Sequence, residues 1–320
     1  MTLTEQIKQY VLSGCGMDAV GIARADALDD ERAGHRPEDL LPGARSVIVF
    51  LKRIPDGIFQ AAFRSGEDGN ADARSIYAAF GRELTPNLNL FFMSFNLAQY
   101  IERSFGVPAV PVPAGEMQNV TPVNTPLPAF VGAKHLAWVI HPARAAVAAG
   151  LGEIAWNNAF VTAQFGPRQG IGLVVTTMEL DCDAPYAGPR LCNPDSCGVC
   201  ARVCPTKAIP APGGAEERFE IAGKEYRTAC INANACAVAS MAFRREFSGK
   251  ADVPDQILDN DPDDETLKRA FAEKPPAYWS LGHHPDYYCD LCRLYCPLGN
   301  WKERFGDKGL SRFDGKELPG

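Results

Sequence analysis

Two runs of cysteine carry the clearest chemistry in the chain. They are Cys197-x2-Cys200-x3-Cys204-Pro205, preceded by Cys192, and Cys289-x2-Cys292-x3-Cys296-Pro297. Thiolate runs closed by Cys-Pro are typical of chains that hold two [4Fe-4S] clusters, in which the Cys before each Pro binds the other cluster. The spacing therefore predicts an electron-transfer centre.

Other uses of paired cysteines fit this pattern less well. Zinc ribbons pair two Cys-x2-Cys knuckles without a further Cys three residues later and a Pro behind it. A disulfide framework is typical of small secreted chains, whereas 320 residues can bury a core without cross-links. These thiols are accordingly interpreted as ligands to iron.

The spacing also divides the ligands between the clusters. The first cluster is predicted to take Cys192, Cys197, Cys200 and Cys296. The second is predicted to take Cys204, Cys289 and Cys292, and it needs one more ligand. Cys230 and Cys236, in an Ala-rich segment between the runs, are the candidates. Four residues separate Cys192 from the next Cys, so a wider loop is expected there.

Composition restricts the remaining possibilities. The chain is 46% hydrophobic and 22% charged, and its net charge of -7 lacks the basic excess with which nucleic-acid binders neutralise phosphates. No apolar run approaches the roughly 20 residues that span a bilayer, and the first residues carry neither a secretory signal nor a twin-arginine pair. We expect a protein of the cytoplasm that does not enter a membrane.

The hydrophobic pattern before the cysteines predicts helices interleaved with a sheet. Helices are predicted at the stripe of Leu3, Ile7 and Val11, over 87–105 and from about Pro142. The aromatic face of the helix over 87–105 is expected to enter the core. Strands are predicted over 18–23, over 47–50 and from Ile171. The Pro-rich stretch 107–130 and the Gly- and Glu-rich stretch 211–226 read as loops, and the acidic stretch 252–265 as a solvated excursion. We expect an α+β domain over 1–180, a two-cluster ferredoxin-like domain over 181–300, and a polar tail over 301–320.

Four segments of the chain resemble a known group of proteins. They are Gly16–Ala23, Leu41–Val49, Ala149–Gly152 and Cys197–Ile209. Together they are similar to the epoxyqueuosine reductases and to the reductive dehalogenases, and the resemblance covers roughly residues 5–300. It implies a nitroreductase-like, corrinoid-binding α+β domain beside a domain with two [4Fe-4S] clusters.

The resemblance implies further cofactor and ligand assignments. Cobalamin is the expected second cofactor on the resemblance alone, because no short motif in the sequence requires it. Corrin contacts are implied for Gly150, Gly152, Thr162, Phe165, Gly166 and Arg168. The wording Arg227-x-x-Cys230-Ile231 matches the segment that completes the second cluster in these families, which favours Cys230 over Cys236.

The chain departs from the epoxyqueuosine reductases at two places. Those enzymes carry an Asp, the proton donor, just before the helix that leads into the Ala-Gly-Leu-Gly turn, whereas residues 137–142 contain none. His141 and Glu116 are the candidates for the acid, with Tyr77 and His135 behind them. The sequence also stops soon after the second cysteine run, whereas many of these enzymes continue into a helical-repeat domain that helps to bind tRNA. This difference and the acidic net charge argue against tRNA as the substrate.

These observations predict an iron-sulfur, cobalamin-dependent reductase that removes a leaving group or an oxygen from a small molecule at cobalt. Its electrons are expected from a reduced ferredoxin or flavodoxin. Two alternatives remain: an epoxyqueuosine reductase acting on tRNA, and a non-catalytic electron carrier that reactivates a partner corrinoid protein.

Overall fold

The computed structural model describes residues 1–29, 34–59, 61–62, 76–77, 79–81, 88–112, 140–240, 243–248, 255–273 and 289–299. Its α-helices are α1 (Leu3–Gln9), α2 (Pro37–Leu40), α3 (Leu90–Phe105), α4 (Pro142–Ala148), α5 (Pro194–Cys197), α6 (Val199–Arg202), α7 (Ala233–Ser240), α8 (Arg245–Ser248), α9 (Asp264–Glu273) and α10 (Leu291–Leu294). Its strands are β1 (Ala19–Arg24), β2 (Ser46–Arg53), β3 (Ala109–Val112), β4 (Glu153–Ile154), β5 (Phe160–Val161), β6 (Gln169–Thr176), β7 (Glu216–Ile221) and β8 (Lys224–Ala229). The chain is a mixed α/β protein.

The central sheet has four antiparallel strands in the order β1-β2-β6-β3. In its middle, β2 and β6 pair from Ser46 opposite Thr176 to Arg53 opposite Gln169. Both strands are apolar almost throughout, because helices cover both faces of the sheet. The strands predicted at 18–23, at 47–50 and from Ile171 are thereby confirmed.

Alternation along β2 divides the core into two layers. Val47, Val49 and Leu51 pack with α4 on one face, whereas Ile48 and Phe50 pack with α1 and α3 on the other. In these two cores 17 residues have no exposed surface, and Lys52 and Arg53 at the end of β2 are half-buried. The sheet is therefore a rigid base, and the segments that leave β6 and α4 start from fixed positions.

Three sequence expectations about this part of the chain are wrong. The Pro-rich stretch begins with a strand, β3, which tolerates Pro111 because it lies at the edge of the sheet. The stretch 211–226 contains most of the β7–β8 hairpin. Polar residues interrupt its strands, so a search for apolar runs does not detect them. The aromatic face of α3 is partly in solvent, since Phe92 and Phe95 are 54% and 47% exposed.

Other expectations are confirmed or lie outside the described residues. Helix α1 carries the predicted stripe, with Ile7 and Val11 buried, and α4 begins at Pro142. Within the described ranges, no helix is long and apolar enough to cross a membrane. The remainder of the Pro-rich stretch, 113–130, and the tail 301–320 lie outside the described residues. The division into two domains stays a prediction.

Candidate functional site

The first cysteine run is shaped by two short helices with a glycine between them. Helix α5 ends at Cys197, Gly198 follows in the left-handed region at φ 60°, and α6 carries Cys200. A side chain at Gly198 would be strained there, whereas glycine adopts this conformation freely. The Arg202 guanidinium donates to the carbonyl oxygen of Cys197 at 2.7 Å and closes the turn. The turn brings Cys197 and Cys200 to one side.

Four cysteines from the two runs form what we call the first thiol group, Cys192, Cys197, Cys200 and Cys296. Burial, followed by the charges of Cys192, Cys296 and Cys197, raises the pKa of Cys200 to about 12. Burial also raises the pKa of Cys296 to about 11, with Cys192 and Cys197 among the charges that act on it. The last Cys of the second run thus lies within electrostatic range of the first run.

The second thiol group consists of Cys204, Cys289 and Cys292. Burial raises the pKa of Cys289 to about 12, with smaller contributions from Cys236 and Cys204. Burial raises the pKa of Cys292 well above its ordinary value, and Cys236 and Cys289 again contribute. Cys204 of the first run thus lies within electrostatic range of Cys289 in the second run.

Cys230 is held beside the start of strand β7. It follows β8, its backbone N–H donates to the carbonyl oxygen of Ala215 at 3.0 Å, and its thiol donates to Glu217 Oε1 at 3.5 Å. Its assignment as a cluster ligand stays a prediction.

A turn between β4 and β5 reaches both thiol groups. The backbone N–H of Trp156 donates to Cys192 Sγ at 3.4 Å, and the Asn157 amide donates to the carbonyl oxygen of Cys292 at 3.4 Å. Trp156 is 1% exposed, and its indole N–H donates to the carbonyl oxygen of Pro210 at 2.8 Å. The turn between β4 and β5 therefore contacts both cysteine runs.

Arg168 joins the sheet to the second run. Its guanidinium donates to the carbonyl oxygens of Leu298 at 2.7 Å and of Cys296 at 2.5 Å, and it lies over the Phe59 ring, 5.5 Å from the centroid. The side chain is 1% exposed, and burial lowers its pKa. Gly166 lies beside it at φ 58°, where an added Cβ would stand 2.0 Å from the carbonyl oxygen of Leu298.

The start of α10 is held by a second set of contacts. Asp290 takes a left-handed conformation at φ 42° between Cys289 and α10. The Tyr77 hydroxyl donates to its carboxylate at 2.5 Å, and the Arg293 guanidinium lies 3.2 Å from the same oxygen. Tyr77 is buried, so this contact gives it a structural role.

The two thiol groups fit the iron-sulfur clusters that the sequence predicts. Their thiols are soft sulfur donors, every cysteine is free of disulfides, and a backbone N–H points at Cys192 Sγ as such donors do at cluster sulfurs. In the described part of the chain, no three His, Cys, Asp or Glu side chains are grouped so that they could hold a single metal ion. The fit rests on the donor set and its neighbours.

The residues implied to contact a corrin are engaged within the protein. Thr162 is buried and its hydroxyl accepts from the backbone N–H of Phe165 at 2.9 Å. At Gly150 and Gly152, an added Cβ would stand 2.1 Å from a backbone carbonyl oxygen. With the contacts of Gly166 and Arg168 above, these positions have structural roles that account for their residue types, and their corrin contacts stay predictions.

The structure gives none of the candidate acids a contact that indicates proton transfer in the described part of the chain. His141 is the N-cap of α4, and its Nδ1 accepts from the backbone N–H of Arg144 at 3.4 Å, which is a structural role. Glu116 and His135 lie outside the described residues.

Sequence reasoning missed several residues that contact the cysteine runs. The side chains of Trp156 and Asn157 are not metal ligands. Their only signal in the sequence is their position in the stretch 150–168, between residues for which the resemblance implies corrin contacts. Glu153 was missed as well. It is 3% exposed, pairs with Lys224, and accepts from the backbone N–H of Leu191 at 2.7 Å, next to Cys192.

Comparisons with known proteins agree with the resemblance. No protein-family model matches the chain. An epoxyqueuosine reductase of Gloeobacter violaceus is 27% identical over 318 residues, which cover 91% of this chain and 75% of the relative. A tetrachloroethene reductive dehalogenase of Desulfitobacterium hafniense is 28% identical over 205 residues, which cover 62% of this chain and 28% of the relative. The chain resembles both kinds of reductase.

A solved structure of epoxyqueuosine reductase from Streptococcus thermophilus aligns with 96% of this chain and 76% of its own, at a TM-score of 0.47 and 15% identity. The names of the two relatives agree with the expectation of an oxidoreductase.

Proposed function

We propose that this protein is an iron-sulfur oxidoreductase that holds two [4Fe-4S] clusters. Cys192, Cys197, Cys200 and Cys296 hold the first, and Cys204, Cys289, Cys292 and one further Cys hold the second. The observation that carries the proposal is that cysteines of both runs, Cys200, Cys204 and Cys292, pack with Cys192 around one buried cluster. Electrons enter from a reduced ferredoxin or flavodoxin in the cytoplasm.

The protein's own residues fix the clusters in place. Trp156 donates its backbone N–H to a ligand of the first cluster, and Asn157 binds the backbone of the second run. Arg168 and Asp290 hold the loops at the two ends of that run. Hydrogen bonds and a low exposure to solvent set cluster potentials, so these residues tune the electron transfer.

Epoxyqueuosine in tRNA is the first substrate to test. The epoxyqueuosine reductase relative aligns with 91% of this chain, against 62% for the dehalogenase, so the comparisons favour this substrate over a small molecule. A small-molecule substrate is the second candidate, because residues 137–142 contain no Asp and the net charge is -7. Cobalamin, implied by the resemblance, would supply a strongly reducing cobalt centre in either case.

Metal content is the first test of the proposal. Protein produced with cobalamin and purified without oxygen is expected to contain about eight iron atoms, the sum of two cubanes. Zinc without iron would refute the proposal. Iron without cobalt would leave the clusters and remove the corrinoid, which is the outcome that the electron-carrier alternative requires.

Complementation separates the substrates. A strain that lacks its epoxyqueuosine reductase is expected to regain queuosine when it receives this chain, and a Cys204→Ala variant is expected to fail. Cys182→Ala, at an exposed cysteine outside both thiol groups, is the matched control. If queuosine stays absent while the clusters are intact, tRNA is not the substrate, and consumption of organohalides by the reduced protein becomes the assay.

A further inference from the structure

Strand β8 holds the loop that separates the first two cysteines of the first thiol group. Four residues lie between Cys192 and Cys197, and one of them is Asp195 on α5. The Arg227 guanidinium of β8 donates to Asp195 Oδ1 at 2.6 Å. The wide loop that the cysteine spacing predicts is therefore fastened to the β7–β8 hairpin near its middle.

A second contact of Arg227 leads to Cys192. The guanidinium carbon lies 5.6 Å from the centroid of the Trp156 ring, and Trp156 donates its backbone N–H to Cys192 Sγ. The backbone N–H of Ala229 donates to the carbonyl oxygen of Trp156 at 2.8 Å, and both residues pack in one buried cluster with Cys192 and Cys200. One arginine side chain thus contacts both the loop of the first thiol group and the residue that donates to its first cysteine.

The charge of Arg227 is placed where it can act on a bound cluster. Its side chain is 24% exposed, and Glu216 of β7 lies 3.5 Å from its Nε. A [4Fe-4S] cluster gains a negative charge on reduction, so a cation beside it favours the reduced state and an anion disfavours it. Without Arg227, Asp195 would keep no cation within ion-pair distance in the described part of the chain.

We propose that Arg227 is a positioning residue of the first cluster, which fixes the loop from Cys192 to Cys197 through Asp195 and Trp156 and whose charge favours the reduced cluster. The inference rests on the proposed function, because it requires a cluster at these cysteines. It assigns a role to Arg227 itself, whichever of Cys230 and Cys236 is a ligand of the second cluster.

Redox titration of the reconstituted protein, followed by the electron paramagnetic resonance of its clusters, tests this role. Arg227→Met is expected to lower the ratio of reduced to oxidised cluster about two- to fivefold at a fixed potential, and for one cluster only. Asp195→Asn is expected to shift the same cluster in the opposite direction, because it removes an anion and leaves the arginine. Arg227→Lys keeps the charge and is expected to restore most of the ratio.

Arg218→Met is the matched control. Arg218 lies opposite Arg227 in the hairpin, but its side chain is 57% exposed and pairs with Glu216 and Glu225. This variant is expected to leave both clusters at their original potentials, since solvent screens an exposed charge. Unchanged potentials in Arg227→Met, an equal shift in Arg218→Met, or shifts of the same sign in Arg227→Met and Asp195→Asn would each overturn the inference.

Iron content keeps the inference testable if Arg227→Met does not hold its first cluster. That variant is then expected to lose about half of the iron of two cubanes, and Arg227→Lys is expected to recover it. An iron loss that lysine does not repair, together with an unshifted Asp195→Asn protein, would contradict the role of Arg227. Unmodified protein without iron would instead refute the proposed function.

Discussion

Replacing Arg168 by methionine tests whether this residue holds the second cysteine run. The guanidinium makes two charge-assisted hydrogen bonds to backbone carbonyl oxygens, at 2.7 Å to Leu298 and 2.5 Å to Cys296. Hydrogen bonds to charged groups contribute about 1.5–3 kcal/mol each, so the two together contribute about 3–6 kcal/mol. Burying the guanidinium costs part of this, as its lowered pKa indicates, and methionine retains much of the volume. We expect the free energy of unfolding to fall by about 3 kcal/mol.

Urea unfolding of metal-free protein, followed by circular dichroism, measures this loss. The first cluster is expected to suffer most on reconstitution, because Cys296 is a ligand whose backbone Arg168 holds. Arg218→Met removes the same charge from an exposed position on β7 and is expected to leave both the midpoint and the iron content unchanged. An Arg168→Met protein with an unchanged midpoint and full iron content would refute the reasoning.

Three further predictions concern the same framework. Gly166→Ala is expected to lower the iron content, since its Cβ would stand 2.0 Å from the carbonyl oxygen of Leu298; iron per chain measures this, and full occupancy would contradict it. Glu153→Ala is expected to cost about 2–3 kcal/mol in urea unfolding, because it leaves the backbone N–H of Leu191 and a lysine without their carboxylate; an unchanged midpoint would count against that role. Burial, followed by the charge of Glu153, raises the pKa of Tyr226 from 10.0 to about 12. The unfolded chain therefore loses the Tyr226 proton at a lower pH than the folded protein does, so the stability present below pH 10 is lost as the pH rises through 12. Tyr226→Phe should therefore lose less stability over that window, and identical alkaline unfolding curves would refute this.

The sequence predicts the elements that depend on local pattern. The apolar run of β2 and the Pro142 start of α4 carry their own signals, so both were predictable. Strand β3 was not, because only its edge position makes Pro111 acceptable. The β7–β8 hairpin was missed because one of its faces is polar and exposed.

The candidate site divides in the same way between local and long-range information. The spacing of the cysteines is local and predicts that Cys296 and Cys204 cross between the runs. The neighbours of those thiols come from distant segments, since Trp156 contacts Cys192 and Arg168 contacts the backbone of Cys296. No spacing rule connects residues that far apart in the chain.

The contacts of the stretch 150–168 suggest why it resembles the relatives. Gly150 and Gly166 lie where a Cβ would collide with a carbonyl oxygen, and Asn157 and Arg168 bind the backbone of the second cysteine run. A segment with these contacts must keep its residue types to hold the sheet and the thiol groups together, whether or not a corrin lies beside it. These contacts account for the resemblance in this stretch without a corrin, and the cobalt measurement decides whether cobalamin is bound.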